Sequence, residues 1–295
     1  DDGRVAALAH LHRRVHLLQR RQSRPGAASR RVLRAVPRAG RGPGAALARD
    51  DGERSPLFVA CQFGHVEVVK LLLARMKQNN RFDFSCDTTG YTPLSIACRG
   101  ALIDVVELVL ECSDLTRVRE ERTFKGDSLL HIAAGGDSGH EIHRLALIKL
   151  IIERGIGTVD RTNLATGQTP LHCAALAGHW RVVEYFCSRD ECTKTIIDKQ
   201  DEDGETALWK ASALGDFLTA EQLIKHGADV NIADINDTFP LDMARVCDEQ
   251  PIQVMTYLGG KKQQEQLIGL LLKHGARESG VESDEEEDAG DDDND

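Results

Sequence analysis

Apolar positions along the chain recur on two scales. Over short stretches they fall at helical spacing, as in Val182, Val183 and Phe186. Over long ones a leucine returns in the same local setting at Leu57, Leu94, Leu130, Leu171, Leu208 and Leu241, with successive spacings of 37, 36, 41, 37 and 33 residues. A period of that size is the mark of a stacked repeat. Inside a unit, Ala174 stands nine residues before Val183, and the same nine separate Ala60 from Val69, Ala97 from Val106 and Ala211 from Ala220. Each unit therefore reads as two short helices.

Residue types supply the reason. Thr169 is suited to cap the first helix, and Pro170 at its first position lacks only an N–H that would be unpaired anyway. Ala174 and Ala175 allow close helix approach, Gly178 fits a left-handed C-cap, and the Val182–Phe186 pattern makes the second helix amphipathic. Helices this short are not stable alone, so each must bury its face against a neighbour. Units are predicted to start near 55, 92, 128, 169, 206 and 239.

Two units depart from the frame. Ala133 and Ile148 are 15 apart instead of nine, which places six inserted residues between the helices of the third unit. Ala244 and Ile268 are 24 apart, which implies 15 extra residues around 249–263 and a final helix over Leu267–Ala276. The stretch from Asp114 to Asp127 keeps no recognisable D-x-x-G turn and interleaves Arg117, Arg119 and Arg122 with Glu120 and Glu121. It reads either as a specialised docking loop or as a solvated charged one.

These segments resemble the ankyrin repeat. The string Thr169-Pro-Leu-His-Cys-Ala-Ala followed by Gly178-His179 is a nearly complete match to the family pattern, Asp87 with Gly90 and Asp201 with Gly204 precede their units at the family's spacing, and Gly227-Ala-Asp-Val-Asn231 matches the loop that closes a unit. The resemblance covers residues 55–277. It implies an all-α solenoid of stacked helix-turn-helix units joined by hairpin-like loops. It also implies that His131 and His172 bond backbone in the loop region, with Trp209 packing between repeats in their place in the fifth unit.

The resemblance further implies a non-catalytic scaffold or adaptor that holds a protein partner on its concave surface and loop tips. Carried onto this chain, the outward positions are Gln62, Phe63, Arg99, Leu176, Ala177, Ala213 and Leu214, and the loop positions are Thr88, Tyr91, Gln168, Glu202 and Glu205. Asn231, eight residues after Leu223, resembles the asparagine-hydroxylation context of such repeats.

Composition narrows the picture. Of 295 residues 41% are hydrophobic, enough for a packed core, and 4% are aromatic, as closely stacked helix pairs require. No apolar run approaches the roughly 18 residues of a membrane span. The net charge of −10 is a sum over different materials. Residues 1–54 carry 13 arginines against five acids, whereas 278–295 carry 11 acids and no base.

The basic start, rich in Gly and Pro after Ser23, and the acidic tail are both expected to be largely disordered. Only the basic start is a candidate to contact nucleic acid or anionic lipid. Ser283, followed by Asp284, Glu285 and Glu286, looks like an acidic-directed kinase site.

Eight cysteines without a C-x-x-C pair point to a reducing, intracellular setting, cytoplasmic or nuclear. Cys187, Cys192 and His179 lack the second close ligand pair of a zinc site, and His140 with His143 lacks a third ligand. No phosphate loop, nucleophile elbow or H-E-x-x-H is present. The expectation is a monomer with no cofactor, no metal and no catalytic residue. The chain begins with Asp1, and its first methionine is Met76. It therefore reads as a fragment or processed form, with the regulatory part of a larger enzyme, a kinase or ubiquitin ligase, as the alternative.

Overall fold

The computed structural model describes residues 49–78, 83–137, 141–190, 192–246 and 260–278. The arginine-rich residues 1–48, His140, Cys247, most of the 249–263 insertion and Ser283 with its acidic surroundings lie outside them. Six helix pairs follow one another: α1 (Pro56–Gln62) and α2 (Val66–Gln78), α3 (Pro93–Arg99) and α4 (Ile103–Leu110), α6 (Leu129–Ala134) and α7 (Glu141–Glu153), α8 (Pro170–Ala177) and α9 (Trp180–Cys187), α11 (Ala207–Ala213) and α12 (Phe217–Lys225), α13 (Pro240–Val246) and α14 (Gly260–Lys273). Two short helices, α5 (Leu115–Glu120) and α10 (Lys194–Ile197), sit in the loops after the second and fourth units. No strand occurs among the described residues.

First helices pack side by side in the order α1, α3, α6, α8, α11, α13, and second helices in the order α2, α4, α7, α9, α12, α14. One apolar cluster runs between the two rows from Leu57 to Leu271, and the shared leucines and the alanines of the frame lie inside it. The stop and start signals act as the residue types dictate. Ser55, Thr92, Thr169 and Thr206 each accept a bond from the backbone N–H three residues on. Each such cap stabilises its helix by about 1 kcal/mol. Gly178 adopts φ +71° beyond α8 and returns its N–H to the Ala174 and Ala175 carbonyls.

A turn precedes every first helix, and all but one are built alike; in the fourth, Asn163 Oδ1 accepts from the Ala165 and Thr166 N–H groups and Gly167 takes φ +67°. Asp87 Oδ1 accepts from the N–H groups of Thr89 and Tyr91 at 2.9 Å, and Gly90 takes φ +85°. Asp50, Asp201 and Asp234 do the same for their own turns. The third unit has its turn after all. Thr123 replaces the aspartate, its Oγ1 accepting from Asp127 N–H at 3.1 Å, and Gly126 takes φ +84°. The turn leading into the first unit begins at Asp50, ahead of residue 55. In the sixth unit the closing helix starts at Gly260, seven residues before Leu267, because Gln264 is buried and donates to the Ala244 carbonyl at 2.6 Å.

Neighbouring units are joined by one recurring bond. The His131 Nε2–H donates to the Gln168 carbonyl at 2.9 Å and that of His172 to the Glu205 carbonyl at 3.1 Å, while each Nδ1 faces its own N-cap residue, Ser128 or Thr169. Trp209 Nε1–H reaches the Thr238 carbonyl at 3.0 Å. In the sixth unit Asp242 occupies the same place and accepts from Phe239 N–H at 2.9 Å.

These imidazoles work as neutral rings. Burial, followed by the nearby Lys210 ammonium, pushes His172 down to about 4, and burial also lowers His131. An unfolded histidine titrates near 6.5 and so binds protons that the folded one refuses. The stability these rings contribute is therefore complete above pH about 6.5 and is lost as the pH falls, for His172 toward about 4.

Two outcomes are expected. Denaturant unfolding of Leu171→Ala, whose side chain is fully buried, should show a loss of about 2–5 kcal/mol; a loss below about 1 kcal/mol would contradict the packing register. Unfolding midpoints should fall from pH 7.5 to pH 5, and His172→Gln should flatten that slope. An unchanged slope would contradict the neutral buried ring.

Candidate protein-binding surface

A groove crosses the second, third and fourth units. Its floor is Ile132, Cys173, Leu176 and Ala177, and its rim includes Tyr91, Arg99 and Lys125. The floor follows from the repeat: positions one and four residues beyond the inter-unit histidine point away from the core between the helix rows. The rim comes from the turns.

The sequence-predicted positions separate into four groups. Tyr91, Arg99, Leu176 and Ala177 come together in the groove. Thr88 and Glu202 stand exposed at turn tips, each giving its N–H to the preceding turn, at the Gly52 and Thr166 carbonyls. Gln62 and Phe63 close the first helix away from the groove, the Phe63 ring lying 6.2 Å from His65.

The remaining four have structural partners. Gln168 lines the groove, yet it is buried and its amide donates to Asp201 Oδ2 at 3.1 Å. Ala213 and Leu214 are buried, Ala213 against Trp209 and Met243, because the sixth unit covers this part of the fifth. Glu205 binds the Lys210 ammonium. The outward positions carried over for the fifth unit are thus not free surface.

Lys210 explains the acidic trio around it. Its side chain is 2% exposed and reaches Asp201 at 2.8 Å as well as Glu205. Burial raises the Asp201 carboxyl, but Lys210 and the Gln168 amide outweigh it, and the net shift is downward. Asp201, Asp203 and Glu205 are close enough to hold a cation; the ammonium already sits at two of them. Cys187 and Cys192 hydrogen-bond each other, and that bond together with burial pushes the Cys187 thiol up. His179 turns its Nε2 to the Gly136 carbonyl at 3.3 Å.

Arg99 is held in place. Its guanidinium pairs with Asp137 at 3.0 Å and lies 5.8 Å from the centre of the Tyr91 ring, within cation–π range. Behind it Arg144, buried on α7, donates to the carbonyls of Ala133 at 2.6 Å, Asp137 at 2.5 Å and Arg99 at 3.2 Å. The start of the third unit's insertion is thereby seated on one guanidinium. Burial, with Arg99 beside it, brings Arg144 down to about 10, still fully charged near neutrality.

Sequence reasoning missed two features of this surface. Arg144 carried no signal, since a lone arginine in an amphipathic helix reads as solvated. Phe124 and Leu164, at the tips of the third and fourth turns, are 72% and 75% exposed. Each leans on the glycine of the preceding turn, Phe124 on Gly90 and Leu164 on Gly126. Their signal was position: they follow Thr123 and Asn163 as Thr88 follows Asp87.

Capped helix pairs, aspartate-headed turns and ring-to-carbonyl bonds recurring from unit to unit decide the family. The chain belongs to the ankyrin-repeat family. A model of three ankyrin repeats matches residues 39–119, and a single-repeat model matches 166–199 and 203–235. The probable 26S proteasome regulatory subunit p28 of Saccharomyces cerevisiae is 30% identical over 198 residues, covering 65% of this chain and 79% of that one.

Among solved structures, the ankyrin repeat protein EF0377 superposes with a TM-score of 0.52 at 22% identity, covering 74% of this chain and 96% of its own. A chain from the Bd0816 predatory endopeptidase of Bdellovibrio bacteriovorus in complex with immunity protein Bd3460 gives 0.50 at 24%, covering 72% and 100%. At these identities the two structures show the shared fold.

The ankyrin chain's groove depends on its buried arginine. A Cβ at Gly136 would stand 2.3 Å from both Arg144 Nη1 and the Arg99 carbonyl. Gly136→Ala should therefore cost about 1–3 kcal/mol in denaturant unfolding; a loss of a few tenths would show that the insertion is not seated on Arg144.

Proposed function

We propose that this ankyrin chain is a non-catalytic, intracellular scaffold or adaptor that docks a protein partner in the groove across its second to fourth units. One observation carries the reading: an apolar floor of Ile132, Cys173, Leu176 and Ala177 is framed by the stacked Tyr91–Arg99 pair. Aromatic and arginine anchors at the centre of a desolvated patch are the residue types that dominate binding energy. Arg99 is pre-positioned by Asp137, so little side-chain freedom is lost when a partner covers it. The yeast relative, named as a regulatory subunit of a large assembly, and the fold neighbour solved in a complex are consistent with such a role.

Among the described residues no helix is long and apolar enough to cross a membrane.

Affinity capture with the full chain, followed by titration of the recovered partner, tests the reading. Tyr91→Ala and Leu176→Asp are expected to weaken binding by about 1–3 kcal/mol each, roughly 5- to 150-fold, while Glu67→Lys on the outer face of α2 leaves it unchanged. Equal recovery by all three variants would remove the groove as the docking site.

A further inference from the structure

The first unit differs from the other five on one face. At the position of Val182 the second, third, fifth and sixth units carry Val105, Leu147, Thr219 and Leu267, and all five side chains are buried. The first unit carries Val68 there, and it is only half-buried. Three residues on, the later units keep their side chain half-buried or better, as Tyr185 and Leu270 do, whereas Leu71 of the first unit is 61% exposed.

The cover comes from the earlier side. Among the described residues the sixth unit has a neighbour only before it, yet Leu267 is buried and Leu270 half-buried. The later side shows the reverse: Leu272 of the sixth unit is exposed where Cys187 of the fourth is buried.

A histidine points the same way. His179 turns its Nε2 to the Gly136 carbonyl of the unit before it. His65 stands four residues before Val69 as His179 stands four before Val183, and its Nε2 is buried with no hydrogen-bond partner among the described residues. His65, Val68 and Leu71 follow at three-residue steps and so share one side of α2 and its lead-in. A repeat that ends a stack presents a polar outer face; this one presents two aliphatic side chains and an orphaned ring nitrogen.

The chain holds a segment that fits. Val32, Ala35 and Val36 stand 18, 15 and 14 residues before Asp50, the head of the first turn. Val69, Leu72 and Leu73 stand at those same distances before Asp87, and Val183, Phe186 and Cys187 before Asp201. The apolar face of a second helix thus recurs, with the linker length that joins units elsewhere in the stack. Arg30, Arg31 and Arg34 fall on the other side at helical spacing, Ser29 is suited to cap such a helix, and Pro37 to stop it. Ser23 stands where the frame has its alanine, nine residues before Val32, and no Thr-Pro-Leu string precedes it. The segment is half a unit. The family model already matches from residue 39, ahead of Asp50.

We propose that residues 29–37 dock as a short helix on the uncovered face of the first unit, Val32 and Val36 against Val68 and Leu71, and close the second-helix row with an arginine-bearing outer side. The docking is independent of the groove: it survives if no partner binds there, and its failure leaves the groove untouched.

Hydrogen exchange of the full chain, read by mass spectrometry near neutral pH, tests it. Amides of residues 31–36 should exchange at least about tenfold more slowly than an unstructured chain, and Leu71→Asp should release them. Reciprocally, Val32→Asp/Val36→Asp should speed exchange in α2 at least about threefold, while α8 and α9, three units away, keep their rates and show that the stack is intact. Should Leu71→Asp unfold the first unit, the Val32→Asp/Val36→Asp chain decides, since it alters nothing in the six units.

Free exchange of 31–36 in the unmodified chain overturns the proposal; protection of α2 that then rises with protein concentration assigns the face to a second copy. Protection of 31–36 that survives Leu71→Asp overturns it too, by placing the segment elsewhere, as does an unchanged α2 in Val32→Asp/Val36→Asp.

Discussion

The bond from a ring N–H of one unit to the last carbonyl before the next unit's first helix fixes the register of the stack. His131, His172 and Trp209 make it to Gln168, Glu205 and Thr238. It demands a neutral imidazole with the proton on Nε2, which burial enforces by raising the cost of the charged form. It also demands that the acceptor lie at one place, and that is what the turns headed by Asn163, Asp201 and Asp234 secure. Hydrophobic burial holds the helix rows together but is non-directional. The polar bond between units supplies the direction.

From that register the surface follows. Side chains on one face of the first helices line up across units, so Ile132 of the third unit joins Cys173 and Leu176 of the fourth in one floor. Where the chain inserts residues, in the third unit, the extra backbone needs donors of its own. Arg144 provides them from inside the stack, and Arg99 and Asp137 are set in place as a consequence. A buried charge is tolerated there because three carbonyls meet it.

Much of this was legible because helix caps and periodic leucines are local signals. The frame from Thr169 through Gly178 to Phe186 states its own helices, and the structure follows it. What escaped the sequence were substitutions that keep the geometry while changing the residue. Thr123 does the work of an aspartate, so the third turn did not announce itself. Lys210 stands where the other units carry Val, Ile, Cys or Met, and only the stack shows that Asp201 and Glu205 meet it. Ala213 looks outward on its own helix but packs against Met243 of the sixth unit, a fact about neighbours that no single unit contains. The candidate groove was half legible for the same reason. Tyr91, Arg99, Leu176 and Ala177 follow from position in the repeat, whereas the exposure of Phe124 and Leu164 depends on how each turn leans on the one before it.

The most direct measurement of the inter-unit bond is the ring N–H itself, observed by nitrogen-15 NMR in water near neutral pH. The account predicts that His131 and His172 appear as the Nε2–H tautomer, with protons exchanging slowly enough with solvent to be seen, that both titrate below the usual histidine range, and that His172 stays neutral as the pH is lowered to 5. Rings that exchange freely, carry the proton on Nδ1, or titrate near pH 6.5 would contradict it.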